Sequence, residues 1–258
     1  MEDKVKETSL TLSASRVKTY TQCPRKYYYN YIEKLPRLDW DHFDLGTLVH
    51  GALEFFHETL RTDKDLENVN INKIMKESFK KQRSLMEKGG DKLPPISFKK
   101  HVLLDARDIL KEYMEKVISK GIDSTILQLE DEFEIDLNEN YLIKGVVDRL
   151  DRDSDGIYHI KDYKTNKNAK YMEPSQLRVY GLYLLNKYPE VKRFRGSYIM
   201  MRFGGMLISY DFTTEDVEKE RQKLINYADL ISEEERWVAR PTNLCDWCDF
   251  KSVCLNTW

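Results

Sequence analysis

The pattern of apolar and polar positions changes period near residue 126. Before it the chain reads as helices: one capped by Ser13 or Ser15 and running to about Ile32, and one from about Phe43 to Leu60. Two more, rich in Lys and Glu, cover residues 70–88 and 98–120, punctuated by Gly89-Gly90 and Pro94-Pro95. After it, Leu127 to Leu137 alternates apolar and acidic residues, as a half-buried strand does. Asn138-Glu139-Asn140 is a turn, and strands follow over Tyr141 to Asp151 and Ile157 to Thr165, joined by Asp153-Ser154-Asp155-Gly156. Pro174 opens a helix to about Tyr188. Phe194 to Phe203 and Met206 to Phe212 form a hairpin around Gly204-Gly205. Thr213 or Thr214 caps a charged helix to about Trp237. The chain therefore divides into a helical lobe over 13–125, a sheet and helix over 126–213, and a helix and tail over 214–258, all within one domain.

Composition sharpens this picture in a few places. The chain has 258 residues, 33% of them charged, with a net charge of −2. A globally basic nucleic-acid binder is excluded, but a local basic patch is not. Residues 16–37 hold six bases against one acid, and residues 211–236 hold nine acids against four bases. The acidic stretch reads as a solvated helix face. In the basic stretch Arg16, Arg25, Lys26 and Tyr28 are candidate DNA contacts, since tyrosines there can stack bases; the alternative is that these tyrosines pack the helix. No run of 18 apolar residues exists, so no membrane span is expected. Met1-Glu2-Asp3-Lys4 is followed by no apolar stretch of a secretory signal, which makes the cytoplasm the default location.

The chemistry concentrates in two strands. Asp162 and Lys164 are two residues apart and project from one face, and the turn before them can bring Asp148 alongside. An acid between Val146 and Leu150 on a strand face is costly unless paired or bound to metal. Two carboxylates that hold a divalent cation, with a lysine to orient water, suit phosphodiester hydrolysis. His50, Glu54 and His57 share a helix face, and Gln176 and Tyr180 lie one helical turn apart. Glu130 and Glu132 stand on the preceding strand, where Glu132 could reach a metal through water.

The ordered set Gly46-Thr47-Leu48-Val49-His50, Gly145 to Arg149, Asp162-Tyr163-Lys164-Thr165, and Gln176 with Tyr180 resembles the PD-(D/E)xK nuclease superfamily in its RecB-like branch. The resemblance implies an α/β, restriction-endonuclease-like α-β-β-β-α-β core with a mixed central sheet. It implies that His50, Asp148 and Asp162 ligate magnesium or manganese, that Lys164 is catalytic, and that Gln176 and Tyr180 contact the phosphate backbone or the lysine. It also implies an exonuclease. Imidazole among the ligands favours manganese. Single-stranded DNA is the expected substrate, with a DNA-binding assembly subunit or a structure-specific endonuclease as the alternative.

Cys245, Cys248 and Cys254 have C-x2-C-x5-C spacing, and Cys23 stands far upstream. In a reducing compartment such a set reads as a metal site that clasps the chain ends. Four thiolates can hold zinc or an iron–sulfur cluster. The one-plus-three split is similar to iron–sulfur-bearing RecB-like nucleases, including AddB-type and CRISPR-associated members, which implies a 4Fe-4S cluster and either a helicase or CRISPR integrase proteins as partners.

Overall fold

A computed structural model describes residues 10–38, 41–62, 70–88, 99–170 and 172–254. Gly89-Gly90, Pro94-Pro95 and the first four residues lie outside them. The centre is a long hairpin of β2 (Ser124–Asp136) and β3 (Tyr141–Asp153). Its turn closes because Asn138 Oδ1 accepts from the backbone N–H of both Asn140 and Tyr141 at 2.9 Å. Pairing runs from Asp136↔Leu142 to Ser124↔Asp153. Gly145 sits opposite Phe133, where an added Cβ would come within 2.9 Å of the ring, so the hairpin closes only on glycine.

β4 (Tyr158–Lys164) pairs antiparallel with β3, but only over Arg149–Arg152. A further strand that the alternation did not announce, β1 (Leu10–Leu12), runs parallel to Tyr141–Ile143. Since β2 occupies one edge of β3 throughout, β1 and β4 share the other edge. β5 (Arg193–Met200) lies parallel to β4, and β6 (Met206–Thr213) antiparallel to β5. A parallel neighbour requires a crossover, supplied by α6 (Ser175–Lys187). The mixed α/β sheet is the one expected.

Helices cover both faces. α1 (Ala14–Gln22), α6 and α7 (Thr214–Ser232) enclose one core around Leu12, Leu150, Ile160, Leu177 and Phe194. α3 (Asp41–Thr62), α4 (Ile71–Lys88) and α5 (Lys100–Lys120) form the lobe, whose core of Leu48, Phe56, Leu110 and Met114 reaches Tyr163 and Ile199 on the sheet. No described helix is long and apolar enough to cross a membrane.

Two helices end earlier than their patterns suggest. The N-terminal helix stops at Cys23, which is extended (φ −161°, ψ 111°), before a short α2 (Pro24–Tyr27) and a π-helical turn over Tyr28–Ile32. Pro24 excludes the helical conformation at the preceding residue. α7 ends at Ser232 rather than near Trp237, which adopts a left-handed φ of 47°.

Candidate active site

β3 and β4 separate beyond Arg149, and Asp148 fills the gap. Its Oδ2 accepts from Tyr163 N–H at 2.7 Å, in place of a strand-to-strand backbone bond. The carbonyl of Tyr163 faces His50 Nε2 at 3.1 Å. A carbonyl can only accept, so Nε2 is the donor to it, and Nδ1 is the ring atom turned toward the acids. That Nδ1 lies 3.4 Å from Asp148 Oδ2 and 3.6 Å from Glu130 Oε1. The ligand atoms of His50, Glu130 and Asp148 all lie within 4.8 Å of one another. Burial works to lower the His50 pKa, but the adjacent Asp148 and Glu130 carboxylates hold it well above the usual imidazole value.

Glu130, not Glu132, is the strand acid at this site. Leu129↔Arg149 and Asp131↔Val147 bracket it opposite Asp148, and its positive φ of 43° bends the strand there. Glu132 pairs with Val146, away from the ligand group. Burial raises the Glu130 pKa, with His50 opposing. Glu54 lies 3.9 Å from Lys81 and adds a like charge near Glu130.

Asp162 is 1% exposed. A chain of contacts circles back to it: Lys164 Nζ to Gln176 Oε1 at 2.9 Å, Gln176 Nε2 to Tyr180 Oη at 2.7 Å, and Tyr180 Oη to Asp162 Oδ1 at 3.3 Å. Lys164 Nζ also stands 2.6 Å from Asp162 Oδ2, at an angle that leaves that buried oxygen without a hydrogen bond. Burial pushes the Asp162 pKa up to about 6, with the charge of Asp148 adding and that of Lys164 opposing. A buried carboxylate oxygen with a spare lone pair beside two acids and an imidazole is donor chemistry that suits a divalent cation. His50, Asp148 and Glu130 would hold the ion, with Asp162 beside them.

Beneath this site lies a buried network that the spacing of the motifs does not reveal. Arg149 forks onto Asp151 at 2.6 and 2.5 Å. Lys161 and Ser124 reach the same carboxylate at 2.7 and 2.6 Å. Arg149 also donates to His57 at 3.1 Å, which ties α3 to the sheet two turns beyond His50. Burial and the charge of Arg149 hold His57 well below the usual imidazole pKa. His57 is thus a structural residue.

The four cysteines form no disulfide and line one cavity of about 190 Å³. Backbone N–H groups of Arg240 and Thr242 point at Cys23 Sγ (3.4 Å) and Cys245 Sγ (3.3 Å). Among the described residues no three sulfurs lie within 4.8 Å of one another. Trp237 stacks on Tyr27 (5.7 Å, 1°), edge-on to Tyr20, and joins the N-terminal helices to the tail. The candidate DNA contacts belong to this same region. Arg16 bonds to the Thr11 carbonyl and lies over the Tyr31 ring. Arg25 bonds to the Trp237 carbonyl, Lys26 lines the cysteine cavity, and Tyr28 packs on Trp237.

Comparison with known proteins fits this geometry. The sequence profile of the PD-(D/E)XK nuclease superfamily matches residues 11–255. An ATP-dependent helicase/deoxyribonuclease subunit of Streptococcus agalactiae is 24% identical over 241 residues, covering 88% of this chain and 21% of that protein. The Clostridium perfringens protein of the same name is 24% identical over 277 residues, covering 92% and 23%. The chain therefore spans about a fifth of the length of these relatives. A crystal structure of a Eubacterium rectale protein with a provisional exonuclease name superposes with a TM-score of 0.52 at 12% identity, covering 96% of this chain and 92% of that one, which speaks to the fold alone.

Proposed function

This chain belongs to the PD-(D/E)XK nuclease superfamily, and from that premise we propose that it is a magnesium- or manganese-dependent deoxyribonuclease that digests single-stranded DNA from an end. The observation that carries the hydrolytic reading is the circuit Lys164–Gln176–Tyr180–Asp162 placed against His50, Glu130 and Asp148. A divalent cation held by these ligands supplies charge to the phosphate and lowers the pKa of a bound water. The residues themselves do the positioning. Asp148 and His50 are oriented by the two backbone groups of Tyr163. Lys164 Nζ donates to Gln176 Oε1 and stands beside the Asp162 carboxylate, which leaves N–H donors for the attacking water or the phosphate oxygen. Burial and Asp162 keep Tyr180 protonated, so its hydroxyl remains a donor.

We assign the cysteines to a 4Fe-4S cluster. Support comes from their one-plus-three arrangement and the N–H groups aimed at two sulfurs. The setting we propose is recombination or repair beside a helicase, because the relatives are named helicase/deoxyribonuclease subunits. A CRISPR integrase is the alternative partner, and an assembly role with secondary nuclease activity is the alternative function. End-labelled linear and circular single-stranded DNA, duplex DNA and RNA, each with magnesium or manganese, test the reading. Degradation of linear single strands alone is the expected result, and rapid cutting of circles would overturn the exonuclease assignment.

A further inference from the structure

A groove of about 550 Å³ opens on the Lys164 side of the site, between α1 on one wall and α6 and α7 on the other. Its inner end is Gln176 and Tyr198, and the Tyr198 ring centroid lies 5.3 Å from Lys164 Nζ. The floor is apolar: Val17, Val179 and Leu224 are all buried there. Tyr227 adds a half-buried ring. At the rim Lys18 is exposed and makes no ion pair with a described residue. Lys223, on the opposite wall, and Arg178 balance Glu220 at 3.6 and 3.4 Å, and the other acid of the lining, the exposed Glu173, is set against the charges of Lys18 and Lys164.

We infer that this groove is the strand path: it receives the unpaired nucleotides next to the scissile phosphate, with a base against Leu224 and Tyr227 and phosphates beside Lys18 and Lys223. The inference rests on the nuclease reading above. Its volume falls in the range of about 300–1,000 Å³ typical of ligand sites. A duplex keeps its bases stacked inside and offers only phosphates and groove edges, to which an apolar floor contributes nothing. An unpaired base has an apolar face to bury, and the cationic rim meets the backbone on either side of it. The groove also leads to the catalytic lysine, whereas Tyr20, Tyr27 and Tyr29 of the N-terminal helices are buried, and the half-buried Tyr28 and Tyr31 are engaged with Trp237 and Tyr27. Preference for single strands therefore originates here, not in the tyrosine-rich segment.

The test uses the full chain. Lys18→Glu and Tyr227→Ala are each expected to raise KM for a single-stranded oligonucleotide about tenfold, with kcat changed less than about threefold. Lys111→Glu, the same charge change on exposed α5, is the control. A KM shift no larger than the control's overturns the proposal. In parallel, oligonucleotides carrying 4-thiothymidine are photocrosslinked to Asp148→Asn protein. Crosslinks within 14–24 and 217–228 support the groove, and crosslinks confined to 25–31 overturn it. Should the wild type cleave no DNA at all, the nuclease reading fails separately and the crosslinks alone decide the groove.

Discussion

The two candidate ligand sets of this protein are built in opposite ways. His50, Glu130, Asp148 and Asp162 sit on α3, β2, β3 and β4, and protein groups orient them before any ion arrives: the backbone of Tyr163, the Tyr180 hydroxyl, and the buried Arg149–Asp151 pair below. The cysteines sit on irregular backbone, one in a break between short helices and three in a tail of turns. Their neighbours' N–H groups and aromatic contacts of Trp237 and Phe250 with the N-terminal tyrosines hold them, rather than a strand or long helix. A hydrogen-bonded site on a sheet gains chemistry from its ion, whereas a site on loops gains its structure from the ion.

This contrast can be broken at both ends. The largest expected effect on folding is at the clasp. Cys23→Ser should release the bound centre, expose residues 233–254 to protease and lower Tm by roughly 10 °C; removing the divalent cation with EDTA should leave Tm within about 2 °C. Calorimetry of both preparations checks the pair, and equal losses would erase the distinction. In the sheet site Asp148→Asn keeps an acceptor for Tyr163 N–H but loses the charge. Cleavage should fall about a thousandfold, roughly 4 kcal/mol on the barrier, with native stability nearly kept. Turnover and urea titration together read it, and wild-type turnover would sink the ligand assignment.

Arg149→Met asks whether the buried network supports the site. Asp151 would keep only Lys161 and Ser124, at a cost of about 3 kcal/mol in urea unfolding. A loss under about 1 kcal/mol would show that the network does not hold the sheet to α3. The smallest effect concerns pH. Burial and Lys161 lower the His159 pKa to about 4, with Asp153 opposing. The unfolded imidazole titrates near about 6.5, so below that pH the unfolded chain takes up a proton that the native one refuses. Stability should therefore fall as pH drops from about 6.5 to about 4. His159→Gln should flatten that slope by about 1–2 kcal/mol, and an unchanged profile would show that other groups control it.

How much of this was legible follows from which distances are local. Asp162 and Lys164 share a face through the two-residue period of a strand, and Gln176 and Tyr180 through a helical turn. Glu130 was legible in principle. The turn at Asn138–Asn140 sets Leu137 against Tyr141 at 2.8 Å, and counting back along the hairpin places Glu130 opposite Asp148. The positive φ at Glu130 was not legible, nor was the parting of β3 from β4 that lets Asp148 bond Tyr163.

The sequence alone determined the periodic elements, the acidic pair with its lysine, and the one-plus-three cysteine pattern, because each depends on spacing within a few residues or on residue type. Tertiary structure decided the rest. It directed Arg25 and Tyr27 of the N-terminal helices into packing and capping of the tail, since burying aromatic rings stabilises the fold more than exposing them. It paired Arg149 with Asp151 beneath the site, and it opened the groove beside Lys164 between helices more than 150 residues apart in the chain. No local period encodes such a contact, because which helix faces which is settled only when the two cores close on the sheet.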